Sequence, residues 1–495
     1  LSEENQWGSR LGFILATVGS AVGLGNIWRF SYVSYENGGG AFLIPYLVAL
    51  LTTGIPLLIL EFSFGKKMRG STVLAYKKLK KKWEWVGWWP VLSVFVLLTY
   101  YVVIISWSLK YIYYALSQAW GANPEAFFYS EHLNLTSGIE SIGGINITIL
   151  LSVVAIWFIN YIIVYNGVEK GIEKASKIFM PLLALLMLII TVRGITLPGA
   201  VAGINKFLEP DFSQLLNSKV WLAAYGQIFF TLSVCFGVMI TYASYLPKDS
   251  DIVNNSFIAA LANCGFSFIV GIGVFGILGY MATQTATPFE DVVTQSIGLA
   301  FIAFPKAINM LPAFSTLFGV LFFSALVIAG ISSSISMVEA VVKALNDKFA
   351  WSRRKASTIV ALAGLLGSLI FTTGAGLYFL DIIDYFNMQF SIVSIGIIQC
   401  IVLGWIYKAS KLRDYFNPIS NFQIGSWWDI MIKYFTPIIL GTMLILSLIS
   451  EIKEGYGGYP ISGLKIGWIV TGLTLVFAII LNNMSWQEKY KNIEE

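Results

Sequence analysis

Charge is what this chain has least of: 12% of its 495 residues are Asp, Glu, Lys or Arg, while 57% are hydrophobic. That leaves too little polar surface to cover a water-soluble core, so the bilayer is expected to be its solvent. Histidine occurs once, at His132, and cysteine three times, at Cys235, Cys264 and Cys400. With no metal-type spacing and all three cysteines inside apolar segments, neither a zinc site nor a disulfide framework is expected. A catalytic dyad is missing as well, which makes an intramembrane enzyme the least favoured reading. Nothing points to a nucleic-acid partner.

What is present is a series of long apolar runs. Lipid offers no partners to backbone N–H and C=O groups, so each run has to be a helix of about 20 residues. Twelve are expected, at 11–36, 41–64, 88–117, 147–165, 171–192, 221–245, 254–282, 313–345, 355–373, 377–406, 428–450 and 463–484. The fold class is therefore an all-α polytopic membrane protein. Glu3, Glu4 and Arg10 precede the first run and no small-residue cleavage site follows it, so it reads as a mature span rather than a signal peptide. Of the 32 basic residues, 24 fall in alternate loops, among them the Lys66 to Lys82 cluster and the Lys343 to Lys355 group. The loop 118–146 has none. Cationic loops stay in the cytoplasm, which places both termini there. Short outer loops suggest a bacterial plasma membrane.

Two runs are interrupted near their centres, the first around Gly19 to Asn26, most sharply from Gly23 to Asn26, and the sixth around Thr231 to Gly237. Glycine in a membrane helix often serves close helix packing, but two interruptions five spans apart suggest an inverted-topology repeat with a binding site at the broken pair. The repeats would be 11–192 and 221–406, with two further helices in 428–484 that have no evident role beyond packing or self-association. A broken helix frees carbonyls for a cation and amides for a carboxylate. Asn26, Thr231, Asn263, Ser332 and Ser333 add neutral oxygens of the kind a hard monovalent cation prefers, though each is also a common interhelical hydrogen-bond group. Intramembrane charges are few: Arg29 and Asp384 are candidates for an ion pair over a substrate, and Glu61 for an acceptor from the unwound sixth segment or a structural anchor.

The runs Trp7 to Phe13, Ala21-Val22-Gly23-Leu24-Gly25-Asn26-Ile27-Trp28-Arg29-Phe30, Glu36 to Phe42 with Pro45-Tyr46, Gln227 to Ser233 and Tyr242 to Tyr245 resemble the neurotransmitter:sodium symporter family, in particular its bacterial amino-acid branch. The resemblance implies the leucine-transporter-like fold and a symporter of hydrophobic L-amino acids, aliphatic and aromatic. It implies two sodium ions, one held by Ala21, Asn26, Thr231, Asn263 and the substrate carboxylate, the other by Gly19, Val22, Ala329, Ser332 and Ser333. Tyr101 would donate to the carboxylate and, with Phe230, form a lid beneath Arg29 and Asp384. Monoamine carriers of this family have aspartate at the Gly23 position; glycine there implies a substrate with its own carboxylate. Ala21, Gly23, Leu24, Gly25, Leu97, Phe230, Thr231, Ser233, Phe236, Ser333 and Met337 would join Tyr101 around that substrate.

Gly171 and Pro181, nine residues between them, resemble a motif whose cytoplasmic end unwinds toward the second sodium. Tyr46, Gln227, Thr231 and Ser267 match the pattern of chloride-dependent members. One departure stands out: the family's arginine three residues before Trp7, partner of an acid matching Asp347, is Glu4 here. A channel would need a continuous polar pore, and a sensor that binds without transporting remains the alternative reading.

Overall fold

The computed structural model describes residues 6–293 and 296–491; the expectations for Glu3 and Glu4 fall outside them. Helices account for every expected run. The first is α1 (Arg10–Ala21) and α2 (Leu24–Glu36), inclined by 55° to each other. Then come α3 (Gly40–Met68), the short α4 (Thr72–Leu79), α5 (Glu84–Ser117), α6 (Ile147–Tyr165) and α7 (Val168–Ile195). The sixth run is again two pieces, α8 (Ser218–Thr231) and α9 (Val238–Ala243). The rest are α10 (Ile252–Thr285), α11 (Ser315–Phe349), α12 (Arg353–Thr372), α13 (Gly376–Ile406), α14 (Trp427–Glu454) and α15 (Ile461–Asn483). Among the described residues, ten helices are long and apolar enough to cross a membrane, eleven with α1 and α2 taken as one span. The expected twelfth, at 221–245, misses that length because its break leaves helices of 14 and 6 residues.

Local chemistry sets the helix starts. Side chains of Ser9, Asn146, Asp251 and Ser352 accept first-turn amides of α1, α6, α10 and α12, satisfying donors that have no intrahelical partner. The longest helices, α5 and α11, form the most extensive helix pair and the buried centre. In contrast, α14 and α15 expose Ile438, Ile445, Ile469 and Phe477, a lipid-facing rim.

Basic residues collect at one end. Arg10 bonds Asn255, Lys66 reaches the Ser250 carbonyl, Lys348 pairs with Glu84 and Arg353 donates to the Val164 carbonyl. His132 is buried in the opposite end, where burial and Lys110 push its pKa down to about 3. It is neutral at physiological pH.

Candidate functional site: two broken helices around one cavity

The first break is narrower than the glycine pattern suggests. Only Val22 and Gly23 leave the helix, both extended. Asn26 is the reason: its Oδ1 accepts the Gly23 amide at 2.9 Å, so α2 begins at once at Leu24. The second break runs from Leu232 to Gly237, with Ser233, Cys235 and Gly237 at φ +51°, +67° and +73°. Left-handed backbone is unfavourable for residues with a Cβ, so something else must hold this segment. Glu61 of α3 does so. Its Oε1 accepts the Cys235 amide at 2.7 Å and Gln399 Nε2 at 2.8 Å.

Between the breaks lies a cavity of about 410 Å³. All twelve residues proposed around a substrate line it. Its floor is backbone and small side chains: Ala21, Gly23, Gly25, Thr231, Ser233 and Ser333. Its walls are Leu24, Leu97, Tyr101, Phe230, Phe236 and Met337, to which the structure adds Ile104 and Val238. Gly23 is glycine for a steric reason. A Cβ there would stand 3.0 Å from both the Tyr101 hydroxyl and Ser333 Oγ. The Tyr101 hydroxyl also receives the Leu24 amide at 3.4 Å, at the N-terminus of α2, where the helix dipole favours an anion.

Two oxygen clusters flank the break. Asn26 Nδ2 points among Thr231 Oγ1 (3.2 Å), Asn263 Oδ1 (2.8 Å) and Ser267 Oγ (2.8 Å). Ala21, the last residue of α1, ends that helix at the cavity. On the other side, Ser333 Oγ meets the carbonyls of Gly19 (3.3 Å) and Val22 (3.4 Å), while Ser332 Oγ donates to Ala329 O. Both clusters consist of neutral oxygens, a donor set that suits sodium.

The four residues of the chloride pattern sit beside the first cluster. Ser267 bonds Asn26, Gln227 lies one turn before Thr231 on α8 with its Oε1 buried and unpartnered, and the Tyr46 hydroxyl meets Cys264 Sγ at 3.3 Å. The last contact was not legible in the sequence.

The lid differs from expectation. Arg29 and Asp384 both line the cavity, yet they are not an ion pair. The Arg29 guanidinium lies over the Phe230 ring, 5.1 Å from its centroid, and Asp384 Oδ1 accepts the Tyr100 hydroxyl at 2.8 Å. Each has found another partner.

Among the described residues, the basic end is held by contacts between distant helices. Trp7 donates to the Tyr242 carbonyl and packs edge-on against Tyr242 and Tyr245. Glu173 accepts the Gly8 amide and the Ser9 hydroxyl, both at 2.7 Å. Glu339 receives Tyr245 and a two-pronged bond from Arg353. Asp347 is occupied by Lys343 and the Ser71 amide. Sequence reasoning missed Glu173, whose partners Gly8 and Ser9 lie far away along the chain, and the Glu339 and Arg353 pair, which joins two successive helices across a turn.

Gly171 belongs to a π turn at Val168–Glu173, and Pro181 sits within an unbroken helix. A Cβ at Gly171 would fall 2.0 Å from the Ile163 carbonyl oxygen, so close packing requires glycine there whether or not the segment unwinds.

Comparison with known proteins agrees with this geometry. The model of the sodium:neurotransmitter symporter family matches residues 4–123 and 121–489. An uncharacterized sodium-dependent transporter of Methanocaldococcus jannaschii is 48% identical over 97% of this chain and 98% of its own length. The sodium- and chloride-dependent GABA transporter 2 of Rattus norvegicus is 30% identical, covering 96% of this chain and 85% of its own. The sodium- and chloride-dependent taurine transporter of Canis lupus familiaris is also 30% identical, covering 94% and 82%. A multi-pass membrane chain matched over nearly its whole length, with two broken helices around one cavity, belongs to the sodium:neurotransmitter symporter family.

Proposed function

We propose that this chain imports hydrophobic L-amino acids, aliphatic and aromatic, by sodium-coupled alternating access. The observation that carries the reading is the cavity itself: backbone amides and the Tyr101 hydroxyl at the α2 start for a carboxylate, beside walls of Leu97, Ile104, Phe236, Val238 and Met337. Met337 adapts to side chains of different shape. Ser233 and nearby carbonyls take the ammonium.

One sodium sits among Ala21, Asn26, Thr231, Asn263 and the substrate carboxylate. A second sits among Gly19, Val22, Ala329, Ser332 and Ser333. Sodium orders the first break, the amino acid completes the first ion site, and the lid closes as Arg29 moves from Phe230 to Asp384. The basic end then opens, with α7 unwinding from Gly171 toward Pro181. Chloride at Tyr46, Gln227, Thr231 and Ser267 is the anion proposed to accompany them; equal uptake in gluconate would remove it.

The two halves 11–192 and 221–406 act as inverted repeats, with the basic end and both termini in the cytoplasm of a prokaryotic cell. Bacterial origin was the sequence expectation; the 48%-identical relative is archaeal. Each sodium crossing about 100 mV gains roughly 2.3 kcal/mol, and a tenfold gradient adds about 1.4 kcal/mol. Two ions together drive accumulation of up to about 10⁵-fold under tight coupling.

Proteoliposomes test this with labelled leucine and tryptophan. Accumulation only with an inward sodium gradient supports the reading, and binding without accumulation supports a sensor. A second reading comes from the relatives named for GABA and taurine transport, whose names point to small ω-amino acids. Competition by unlabelled GABA or taurine, but not leucine, would replace the apolar substrate.

A further inference from the structure

The helices α14 and α15 lie outside the proposed repeats, yet the segment joining them reaches the cavity. Residues 455–460 form a strap in which Gly455, Gly457 and Gly458 all have φ between +61° and +68°, conformations that glycine adopts without steric penalty. The tight path turns two tyrosines toward α13. Tyr456 donates to Asp381 Oδ1 at 2.9 Å and Tyr459 to Oδ2 at 2.8 Å. The Tyr456 ring lies flat on Tyr385, 3.7 Å between centroids and 5° from parallel, and it lines the cavity. Burial, and after it the Asp381 carboxylate, raise the pKa of both phenols above the usual range.

Asp381 has no Lys, Arg or His at ion-pair distance among the described residues; its two oxygens are taken by these hydroxyls. It stands one helical turn before Asp384, so both project from neighbouring positions on α13. A grip on Asp381 therefore fixes how α13 presents Asp384 to Tyr100 and Arg29.

We infer that Tyr456 and Tyr459 are positioning residues for the lid: the strap is the side wall of the substrate entrance and holds α13 in register through Asp381. This rests on the transport reading for its kinetic consequence, but not for its geometric one. Without the hydroxyls the wall swings away, the entrance widens, and Asp384 loses its fixed mount.

The test places a reporter at Met388, which lines the same cavity. In a Met388→Cys background, reaction with a membrane-impermeant cationic thiosulfonate reads entrance width without any substrate, since the three native cysteines are buried. The double variant Tyr456→Phe with Tyr459→Phe keeps both rings and the stack on Tyr385, so it tests the grip without emptying the wall. Labelling is expected to quicken about threefold to tenfold, and more in Tyr456→Ala. In the protein with native Met388, the Phe pair should raise the KM for labelled leucine several-fold with kcat changed less than twofold. A strap that merely packs would alter thermal stability alone. Labelling that is unchanged or slower in the Phe pair overturns the inference, whatever the substrate proves to be. Should Tyr456→Ala fail to fold, the Phe pair and Asp381→Asn carry the same decision. If labelling quickens but leucine is not transported, the wall stands and the substrate reading falls.

Discussion

The two breaks solve one problem in opposite ways. The first is two residues long, contains only extended backbone, and is closed by its own chain through Asn26. The second is six residues long, bends through three left-handed positions, two of them not glycine, and leans on Glu61 and Gln399 from other helices. A break capped by its own chain makes its outside contacts with Tyr101 and Ser333, side chains that line the cavity. A break held from outside depends on its support. Damage to the first should therefore appear in binding, and damage to the second in folding.

The largest effect is expected from Glu61→Ala, which strips an acceptor from two buried donors. Each buried donor left unsatisfied costs about 1–3 kcal/mol, so the thermal midpoint in detergent should collapse along with uptake. A variant that stays stable while losing transport would reverse the assignment of roles.

Gly23→Ala tests the other side. The new Cβ pushes against Tyr101 and Ser333, and misplacement on the scale of 1 Å costs roughly 100-fold in an oriented site. Uptake should fall by about 10–100-fold while the midpoint barely moves.

Asn263→Ala comes next. It removes the oxygen that accepts Asn26 Nδ2 and the amide that donates to Thr231 Oγ1, and the loss of about 1.4 kcal/mol expected for such a contact is tenfold in sodium affinity, read from the sodium dependence of uptake. An unchanged dependence would move the ion elsewhere.

Pro181→Ala sharpens the comparison by asking whether α7 is a latent third break. Restoring a backbone donor there should slow turnover by a few-fold without changing sodium affinity, since proline weakens a helix interior by about 3 kcal/mol. Equal turnover would make α7 an ordinary helix. It is a cleaner test than Gly171→Ala, which would clash with the Ile163 carbonyl in any case.

The smallest effect belongs to Cys235→Gly. Releasing a left-handed residue gains about 1–2 kcal/mol, offset by the lost burial of the thiol, so stability should stay within about 1 kcal/mol. A strong loss would show that the hydrogen bond Gln399 Nε2 donates to Cys235 Sγ, at 3.8 Å, is structural.

Most of the fold was legible because lipid permits few solutions: long apolar runs must be helices, and observed ends such as Ser117, Tyr165 and Glu36 fall where the apolar pattern stops. The floor of the cavity was legible for a similar reason, since glycine and polar residues in mid-membrane need an explanation. Ile104 was within reach, being seven residues after Leu97 and three after Tyr101 on one helix face. Other features were hidden because they are pairings between distant parts of the chain. Nothing local marks Gln399 as a partner of Glu61, Glu173 as the acceptor for Gly8, or Tyr456 as a wall. The Arg29 and Asp384 pair was expected over a substrate, from their places in two spans and from the family resemblance; in the structure Arg29 faces Phe230 and Asp384 accepts from Tyr100.

The crowding at Gly23 also constrains how such a carrier can diversify. One point in space is bounded by the backbone between α1 and α2, a phenol on α5 and a serine on α11. A larger side chain at 23 presses first on the Tyr101 hydroxyl and Ser333 Oγ, so those two groups have to give way on the cavity wall.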